Sequence, residues 1–581
     1  MIQLTIDGRP IQVEPGTTVL EAARRLGIRI PTLCYLKEIN QIGACRMCVV
    51  EVKGYRTLQT ACSLPCADGM EVRTNTPAVR AARRMVLELL LSDHQVDCPT
   101  CLRAGDCELM RLAQETGLRS VRFTGEKHPA RVDTSSPALA VDSSKCILCQ
   151  RCVAVCREVQ GVAAISLAGR GFASRVVPFF DHELGEAACT YCGQCTLVCP
   201  TGALTEKDDT EAVWAALLDP EKHVIVQTAP AIRVSLGEAF GLPPGTVATG
   251  QMVAALRRLG FDRVFDTNLG ADLTIVEEAS ELIQRLRSGG PLPLMTSCCP
   301  GWVKYAEHFW PEFLENLSSC KSPHQMFGAM AKTYYAQKMG IDPAKIVVVS
   351  IMPCTAKKFE ASRPELAGSG YPDVDYVLTT RELARMLRQA GIDLAALPEE
   401  EFDAPLGIST GAGALFGATG GVMEAALRTA STWLEGEPRR LVFTEVRGLE
   451  GVREASLTIA GQELKVAVAH GLRNAARLLE RIRSGEATYH FVEVMACPGG
   501  CVGGGGQPLP ADGPDSLPAL RQARVQAIYR VDEAKAIRYS HENPAIKQLY
   551  AEFLGEPLGE VPHRLLHTHY HARQPVGIRV R

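Results

Sequence analysis

Cysteine thiols are the most numerous strongly metal-binding side chains in this sequence, and their spacing indicates what they bind. The 581-residue chain contains 22 cysteines, and sixteen of them lie between Cys34 and Cys199. Disulfide scaffolds of that density are small secreted domains, whereas this chain is long and its N-terminus lacks the basic and apolar regions of a secretory signal. The cysteines are therefore predicted to bind metal as thiolates.

Two cysteine runs share one pattern, in which gaps of two, two and three residues separate four cysteines. Bacterial two-cluster ferredoxins have this spacing, and the fourth cysteine of each run ligates the other cluster. The predicted ligands of one 4Fe–4S cluster are Cys146, Cys149, Cys152 and Cys199, and those of the second are Cys189, Cys192, Cys195 and Cys156. A pair of zinc sites is the alternative, although zinc usually takes its four ligands from one local unit.

Two further groups precede these runs. Four thiolates on a β-rich segment suit a 2Fe–2S cluster, and the predicted ligands are Cys34, Cys45, Cys48 and Cys62. Cys66 is left over and is interpreted as a buried non-ligand.

The second group contains one histidine and three cysteines: His94, Cys98, Cys101 and Cys107. Alone it would indicate zinc, but its position between iron–sulfur modules favours a His-ligated 4Fe–4S cluster.

The elements that position these groups follow from local patterns. Alternating apolar residues on both sides of Asp7 and Gly8 predict a β-hairpin. Residues 17–26 have helical spacing that ends at Gly27, residues 77–91 form a basic amphipathic pattern, and residues 126–142 have the composition of a linker.

After residue 210, short apolar runs alternate with helical stretches, which predicts parallel strands covered by helices. The runs include 224–226 and 346–351, and the helical stretches include 249–259 and 381–390. The predicted fold is multidomain and mixes α+β with α/β. Its units are a β-grasp 2Fe–2S domain (1–78), a small His/Cys3 4Fe–4S module (79–125), a bacterial two-cluster ferredoxin domain (137–208) and a large α/β domain (210–572).

Charge and composition exclude several classes of function. The chain has 62 basic and 65 acidic residues and a net charge of −3, so no basic excess indicates nucleic-acid binding. Apolar residues make up 46% of the chain, which is ordinary for a soluble protein. No apolar run has the length of a membrane span. We expect a cytoplasmic protein without nucleic-acid or membrane partners.

Five of the six cysteines after residue 200 lie in three distinctive segments. These read Thr-Ser-Cys-Cys-Pro-Gly-Trp at 296–302, Met-Pro-Cys-Thr-Ala-Lys-Lys-Phe-Glu at 352–360, and Phe-Val-Glu-Val-Met-Ala-Cys-Pro-Gly-Gly-Cys-Val at 491–502. Four of the thiolates can converge on a buried cubane from loops that follow strands: Cys299, Cys354, Cys497 and Cys501. Glycines beside Cys501 permit close approach of the backbone to a bulky inorganic group.

These three segments, in this order, resemble the signature motifs of FeFe (iron-only) hydrogenases, and the resemblance covers roughly residues 1–572. The upstream modules alone also resemble a large peripheral subunit of respiratory complex I. The hydrogenase resemblance implies reversible reduction of protons to dihydrogen. It also implies an H-cluster, in which a 4Fe–4S cubane is bridged through Cys501 to a diiron centre with CO, cyanide and an azadithiolate, together with three further 4Fe–4S clusters and one 2Fe–2S cluster.

The resemblance assigns roles to individual residues of the large domain. It implies a proton path through Cys298, Glu278, Ser318, Glu281 and Arg285. Helical spacing also places Glu278, Glu281 and Arg285 on one face, for which a surface salt-bridge stripe is the alternative.

The same resemblance implies that the two cyanides are bound by Lys357, the backbone of Ala229 and Pro230, and the side chain of Ser322. Met352 and Met495 resemble the thioether wall around the diiron site. His324 and Ala231 depart from residues common in the family, and Cys320 has no assigned role.

Electrons must leave such an enzyme through partners. Residues 409–421 are glycine-rich but match neither phosphate-binding fingerprint, so NAD(P) would bind another subunit. The expected partners are ferredoxin or NAD(P)-oxidising flavin and iron–sulfur subunits, together with hydrogenase maturation enzymes. A hydrogen sensor, a pure electron-transfer subunit and a zinc-stabilised scaffold are the alternatives. The relay cysteine Cys298 disfavours the sensor.

Overall fold

A computed structural model describes residues 1–436 and 442–573. Its N-terminal unit is a five-stranded sheet of order β2-β1-β5-β3-β4 packed against one helix. The elements are β1 (Ile2–Ile6), β2 (Arg9–Val13), α1 (Val19–Arg25), β3 (Val49–Val52), β4 (Gln59–Thr60) and β5 (Met70–Arg73). The predicted hairpin is confirmed: β1 and β2 pair antiparallel across Asp7 and Gly8, both with positive φ. Helix α1 is capped by the Thr18 hydroxyl.

The second unit is built on two helices, α2 (Pro77–Asp93) and α3 (Glu108–Glu115). The predicted helix over 77–91 is confirmed, with Thr76 as its N-cap and Pro77 in its first turn. The end of α2 presents His94, and Cys107 caps α3 through its sulfur, which accepts a bond from Met110 N at 3.4 Å.

The ferredoxin-like unit contains two small sheets and two short helices. The elements are β6 (Val132–Asp133), β7 (Leu139–Asp142), α4 (Arg151–Ala154), β8 (Ile165–Ala168), β9 (Arg175–Pro178), α5 (Gln194–Val198) and β10 (Leu204–Glu206). The prediction of a linker over 126–142 was wrong in its second half, because β7 pairs with β10. Only four residues form β7, which is too few for a clear strand pattern in the sequence.

The duplication of the two cysteine runs is visible in the backbone. The residues two and four positions after the first cysteine have positive φ in both runs: Leu148 and Gln150, then Tyr191 and Gly193. In each run the residue two positions on donates its backbone N–H to the first sulfur at 3.4 Å. The two halves therefore fold into the same sulfur-directed turn.

The large unit contains two four-stranded sheets. The first has the order β12-β11-β14-β15 and is entirely parallel. Its strands are β11 (His223–Thr228), β12 (Arg263–Asp266), β14 (Ile346–Met352) and β15 (Tyr376–Thr379). The second has the order β13-β18-β17-β16. Its strands are β13 (Leu294–Met295), β16 (Val452–Ile459), β17 (Gln462–His470) and β18 (Phe491–Met495).

The helices of the large unit cover both sheets. They are α6 (Thr210–Leu218), α7 (Thr249–Leu259), α8 (Thr267–Ser288), α9 (Pro300–Phe309), α10 (Pro323–Met330), α11 (Ala336–Met339), α12 (Ala356–Ala361), α13 (Thr380–Gln389), α14 (Gly411–Leu415), α15 (Gly421–Glu435), α16 (Leu472–Arg483), α17 (Leu517–Ala534), α18 (Pro544–Leu549) and α19 (Glu560–Leu566).

The predicted multidomain mixture of α+β and α/β units is confirmed. The expectation of parallel strands alone in the large unit was incomplete, since β16 and β17 form an antiparallel hairpin through a two-residue turn at Ala460 and Gly461. In the described residues no helix has the length and apolarity needed to cross a membrane.

The ferredoxin-like unit and the large unit meet at two glycines. A side chain on Gly505 would place its Cβ 2.5 Å from Gly193 Cα and would also overlap the Cys192 carbonyl. Thr355 Oγ1 donates to the Tyr191 carbonyl at 2.7 Å in the same contact. Backbone therefore packs on backbone between the second cysteine run and the loops that follow β14 and β18.

Replacing Gly505 by alanine should weaken this contact. The added methyl group meets backbone on both sides, so we expect a loss of about 1–3 kcal/mol in the free energy of unfolding, as for other overpacked sites. Denaturant unfolding of the cluster-loaded protein measures it. Gly125→Ala is the control, because its Cβ would meet no atom within 4 Å. Equal midpoints for the two variants would contradict the tight packing.

Candidate functional site

A cavity lies where strands of both large-unit sheets end. Its walls come from the carboxyl ends of β11, β13, β14 and β18, where loops leave parallel strands. Ligand sites in open α/β folds lie at this edge of the sheet. The lining includes Ala229, Pro230, Cys298, Cys299, His324, Met352, Cys354, Lys357, Phe416, Met495, Cys497 and Cys501.

Four predicted ligand cysteines meet at this cavity. Cys299 follows β13 and precedes α9, Cys354 follows β14, and Cys497 and Cys501 follow β18. Burial raises the pKa of Cys354 most, and the neighbouring thiols of Cys299 and Cys501 raise it further. The pKa of Cys497 is likewise raised by burial and then by Cys354 and Cys299. Mutual repulsion of this kind requires that the sulfurs lie close together.

The backbone around these cysteines leaves room that side chains would fill. Gly500 has φ +88°, and a Cβ there would lie 2.5 Å from Thr419 N. A Cβ on Gly504 would lie 2.8 Å from the carbonyl carbon of Pro353. Both glycines line the cavity, so the loops of β14 and β18 can close around a bulky group.

Lys357 reaches the cavity from α12 and is held by two acceptors. Its Nζ donates to the Cys298 carbonyl at 3.1 Å and to Glu360 Oε2 at 2.7 Å. Burial opposes the charge of Lys357, but Glu360 raises its pKa above the ordinary value. The same Glu360 oxygen lies 2.5 Å from His324 Nε2. Burial and then Lys357 lower the pKa of His324 to about 4, so its ring is neutral at pH 7.

Sequence reasoning missed Glu360, although it stands in the same segment as Lys357. The spacing of Lys357 and Glu360 could have indicated the pair, because positions i and i+3 of a helix share a face. Burial opposes the negative charge of Glu360, yet Lys357 and His324 lower its pKa to about 2. A buried carboxylate thus offsets part of the charge of Lys357.

Other predicted contacts surround the same space. The side chains of Met352 and Met495 and the residues Ala229 and Pro230 lie in the wall, as does Phe416 from the glycine-rich segment. Ser322 caps α10 immediately before two wall residues, and its buried Oγ has no hydrogen-bond partner among the described residues. An unsatisfied buried hydroxyl indicates a missing acceptor or donor.

The five residues of the predicted proton path form a row in which hydrogen bonds join Ser318, Glu281 and Arg285. Burial raises the pKa of the Cys298 thiol most, and Glu278 raises it further. Ser318 Oγ donates to Glu281 Oε2 at 2.8 Å. Arg285 Nη2 donates to Glu281 Oε1 at 2.6 Å, and the Arg285 side chain is 12% exposed. The row therefore runs from the cavity to the surface.

Glu278 is the perturbed member of this row. Burial, and then the charge of Glu281, raise the pKa of Glu278 to about 8. Its Oε2 has no hydrogen-bond partner in the part of the chain that the structure describes. The carboxyl group is therefore mainly protonated at pH 7 and has an atom free to accept or donate a proton.

The ferredoxin-like unit groups its cysteines across the two runs. Burial raises the pKa of Cys152 most, followed by neighbours that include Cys149, Cys199 and Cys146. The corresponding neighbours of the buried Cys195 include Cys192, Cys189 and Cys156. The fourth cysteine of each run is thus among the neighbours of the third cysteine of the other run.

The N-terminal groups are also assembled. Cys45 raises the pKa of Cys34, and Cys62 raises that of Cys48, so the sulfurs of each pair are neighbours. Cys66 instead packs in the hydrophobic core of the unit, where burial raises its pKa.

His94 is the histidine of the second group. It is buried, and its Nδ1 has no partner within the described ranges. A buried ring nitrogen without a hydrogen-bond partner can bind a metal. Burial raises the pKa of the Cys107 thiol, and Cys101 is among the neighbours of this thiol. In residues 1–436 and 442–573, no three His, Cys, Asp or Glu side chains are placed so that together they could hold one metal ion.

Comparisons with known proteins match every unit of this architecture. Residues 222–505 match the iron only hydrogenase large subunit, C-terminal domain, and residues 518–573 match the iron hydrogenase small subunit. Residues 1–77 match a 2Fe–2S iron-sulfur cluster binding domain. Residues 83–122 match the NADH-ubiquinone oxidoreductase-G iron-sulfur binding region, and residues 136–205 match the ferredoxin-like domain of NADH-quinone oxidoreductase subunit 3.

Similar proteins cover the whole chain. The NADP-reducing hydrogenase subunit HndD of Solidesulfovibrio fructosivorans is 52% identical over 587 residues, with 99% of each chain covered. Iron hydrogenase 1 of Clostridium pasteurianum is 42% identical over 98% of this chain and 100% of its own. The solved structure of apo FeFe-hydrogenase HydA1 from Chlamydomonas reinhardtii has a TM-score of 0.57 at 47% identity, and the match covers 63% of this chain and 99% of that one. The chain belongs to the iron-only (FeFe) hydrogenase family.

Proposed function

We propose that this chain is the hydrogen-converting subunit of an NADP-linked assembly, in which it catalyses 2 H⁺ + 2 e⁻ ⇌ H₂. The observation that carries the proposal is the meeting of four cysteines at a buried cavity that also receives the Cys298 thiol. Similarity over 99% of the chain to a subunit of an NADP-reducing hydrogenase supports the linkage to NADP.

The cavity fits the H-cluster of the family. Four thiols converge on it, two glycines leave room for a bulky group, and the Ser322 hydroxyl lacks a partner. Cys299, Cys354, Cys497 and Cys501 would hold the cubane, and Cys501 would also hold the diiron centre. When bound, the H-cluster supplies the metal chemistry by which dihydrogen is made or split.

The residues of the chain supply the proton. Cys298 Sγ opens into the cavity and exchanges its proton with the carboxyl group of Glu278. Ser318 passes the proton on through its hydroxyl to Glu281, and Arg285 holds Glu281 near the surface. Lys357, fixed by Glu360 and the Cys298 carbonyl, provides a positive charge at the cavity wall.

The accessory clusters supply the electron route. Three 4Fe–4S clusters, including the His94-ligated one, and one 2Fe–2S cluster are assigned to the four cysteine groups. Asn40 Nδ2 donates to the carbonyls of both Cys34 and Cys149, at 2.8 and 3.1 Å. Glu108 N, next to Cys107, donates to the Pro200 carbonyl at 3.0 Å. Both N-terminal clusters therefore adjoin the cluster of Cys146, Cys149, Cys152 and Cys199.

Partner proteins complete the reaction. The described residues offer no dinucleotide fingerprint of their own, so flavin and iron–sulfur subunits would bind NADP and accept electrons at the N-terminal clusters, with ferredoxin as a second carrier. Maturation enzymes would insert the diiron centre. We place the assembly in the cytoplasm, since reducing conditions there keep cysteines such as these as thiols.

Infrared spectroscopy of the anaerobically purified protein tests the central assignment. After co-expression with hydrogenase maturation enzymes, bands of metal-bound CO and cyanide should appear and should change under dihydrogen. If the iron–sulfur clusters are fully loaded but these bands are absent, the chain is an electron-transfer subunit and the central assignment is wrong.

Replacing Cys298 by alanine should abolish most hydrogen production while the infrared bands remain. General acid–base groups contribute about 10²–10⁴-fold to rate, so a loss of that order is expected with methyl viologen as electron donor. Cys66→Ala is the matched control, because Cys66 lies in the N-terminal core and does not line the cavity. If Cys298→Ala keeps activity within twofold of the wild type, the Cys298 thiol is not part of the proton path.

Replacing Glu278 by glutamine should change how stability depends on pH. The Glu278 pKa is raised from 4.5 to about 8 in the folded protein. Between these pH values the folded state holds a proton that the unfolded state has lost, so the free energy of unfolding falls as pH rises. Glu278→Gln should lose less stability between pH 5 and pH 8 than the wild type.

Denaturant midpoints at the two pH values measure this difference, and the exposed Glu463→Gln serves as control. Parallel pH profiles for Glu278→Gln and the wild type would show that Glu278 titrates normally.

A further inference from the structure

Lys304 is a buried lysine that the proton path and the cavity do not use. It lies on α9, five residues after Cys299, and only 3% of it is exposed. Its Nζ stands 4.5 Å from the ring centre of Tyr191 and 5.4 Å from that of Phe359. The side chain therefore points from the large unit into the ferredoxin-like unit.

No carboxylate pairs with this ammonium within the described residues. Its one hydrogen bond is to His308 Nε2, at 2.8 Å. Burial, and then the charge of Lys304, lower the pKa of His308 to about 3, so this imidazole is a neutral acceptor. The nearby Glu307 is engaged by Arg363 and by Arg573. An ammonium buried without an anion is costly, so an anion is missing from this arrangement.

The nearest candidate for that anion is the second ferredoxin-like cysteine group. Tyr191, whose ring faces Lys304, donates its backbone N–H to Cys189 Sγ at 3.4 Å. Burial lowers the pKa of Lys304 to about 8, and Cys189 is the first group that opposes this effect. Cation–π contact with two rings contributes, but it does not replace an ion pair in a dry site.

We propose that Lys304 is the counter-charge of the 4Fe–4S cluster held by Cys156, Cys189, Cys192 and Cys195, and that it raises the reduction potential of this cluster. The inference rests on the proposed assignment of that cluster. Reduction adds one electron to the cluster and breaks no bond, so its negative charge grows by one. A fixed cation stabilises the reduced form more than the oxidised form, and local charge is one determinant of cluster potential.

The position of this cluster gives its raised reduction potential a function. Its loop packs on the loops of Cys354 and Cys501 through Gly193, Thr355 and Gly505. An electron held there is therefore adjacent to the cubane that serves the catalytic cavity. Raising the potential of this cluster favours storage of an electron at the last accessory position.

The test compares the full-length chain with Lys304→Met and Lys304→Gln, which remove the charge, and with Lys304→Arg, which keeps it. Each protein is produced without maturation enzymes and titrated with dithionite while electron paramagnetic resonance follows the reduced clusters. In Lys304→Met and Lys304→Gln, one cluster component should shift to more negative potential. At the wild-type midpoint of that component, its reduced fraction should fall severalfold.

Lys145→Met is a matched control, because Lys145 lies beside Cys101 but is already paired with Asp97 and Asp142. It should leave the shifted component unchanged, and Lys304→Arg should keep that component near its wild-type midpoint. Iron content verifies that each variant is loaded.

Loaded Lys304→Met and Lys304→Gln proteins with unchanged midpoints would overturn the role of Lys304. Wild-type protein that lacks the iron for this cluster would instead overturn the cluster assignment itself. A shift in both charge-removing variants, with Lys304→Arg unshifted, supports the proposal.

Discussion

The structure depends on one constraint: negative charge must be held in an interior from which water is excluded. Burial and mutual repulsion raise the pKa of the thiols that meet at the cavity, including Cys354, Cys497 and Cys501. Without metal these sulfurs are protonated, and binding of a cluster must release protons. Cationic iron among the sulfurs would offset the repulsion between thiolates, so binding of a cluster would stabilise the loops that carry them.

The cations of the chain are distributed according to the same constraint. Lys357 lines the cavity and Lys304 lies beside Tyr191 of the second cysteine run, and both are almost fully buried. They differ in their partners. Glu360 offsets the charge of Lys357, whereas Lys304 has only a neutral imidazole and two aromatic rings in the described structure. The amount of uncompensated charge is thus set separately at the two sites.

The sequence predicted the local parts of this design. The repeated cysteine gaps predicted an internal duplication, and the two runs have the same positive-φ positions. The helix over 249–259 and the first hairpin also follow from short-range patterns.

Features that depend on contacts between distant residues were not predictable in this way. The separation of the large unit into two sheets depends on pairing between β13 and β18, almost 200 residues apart. Glu360 stood in a motif already noted, but its partnership with His324 required the approach of α10 to α12. Lys304 carried no signal, because its contact with Tyr191 joins two units that are distant in the sequence.

The adjacent residues Cys298 and Cys299 show how the two routes are kept apart. Cys299 begins α9, whose Lys304 faces the ferredoxin-like unit, and the loops beside Cys354 and Cys501 contact the same unit. Cys298 instead neighbours Glu278 on α8, from which the row of proton-bearing groups leads to Arg285. Consecutive side chains of an extended segment point to opposite sides. On the proposed assignment, the short loop after β13 would serve the electron route through Cys299 and the proton route through Cys298, and both residues line the cavity.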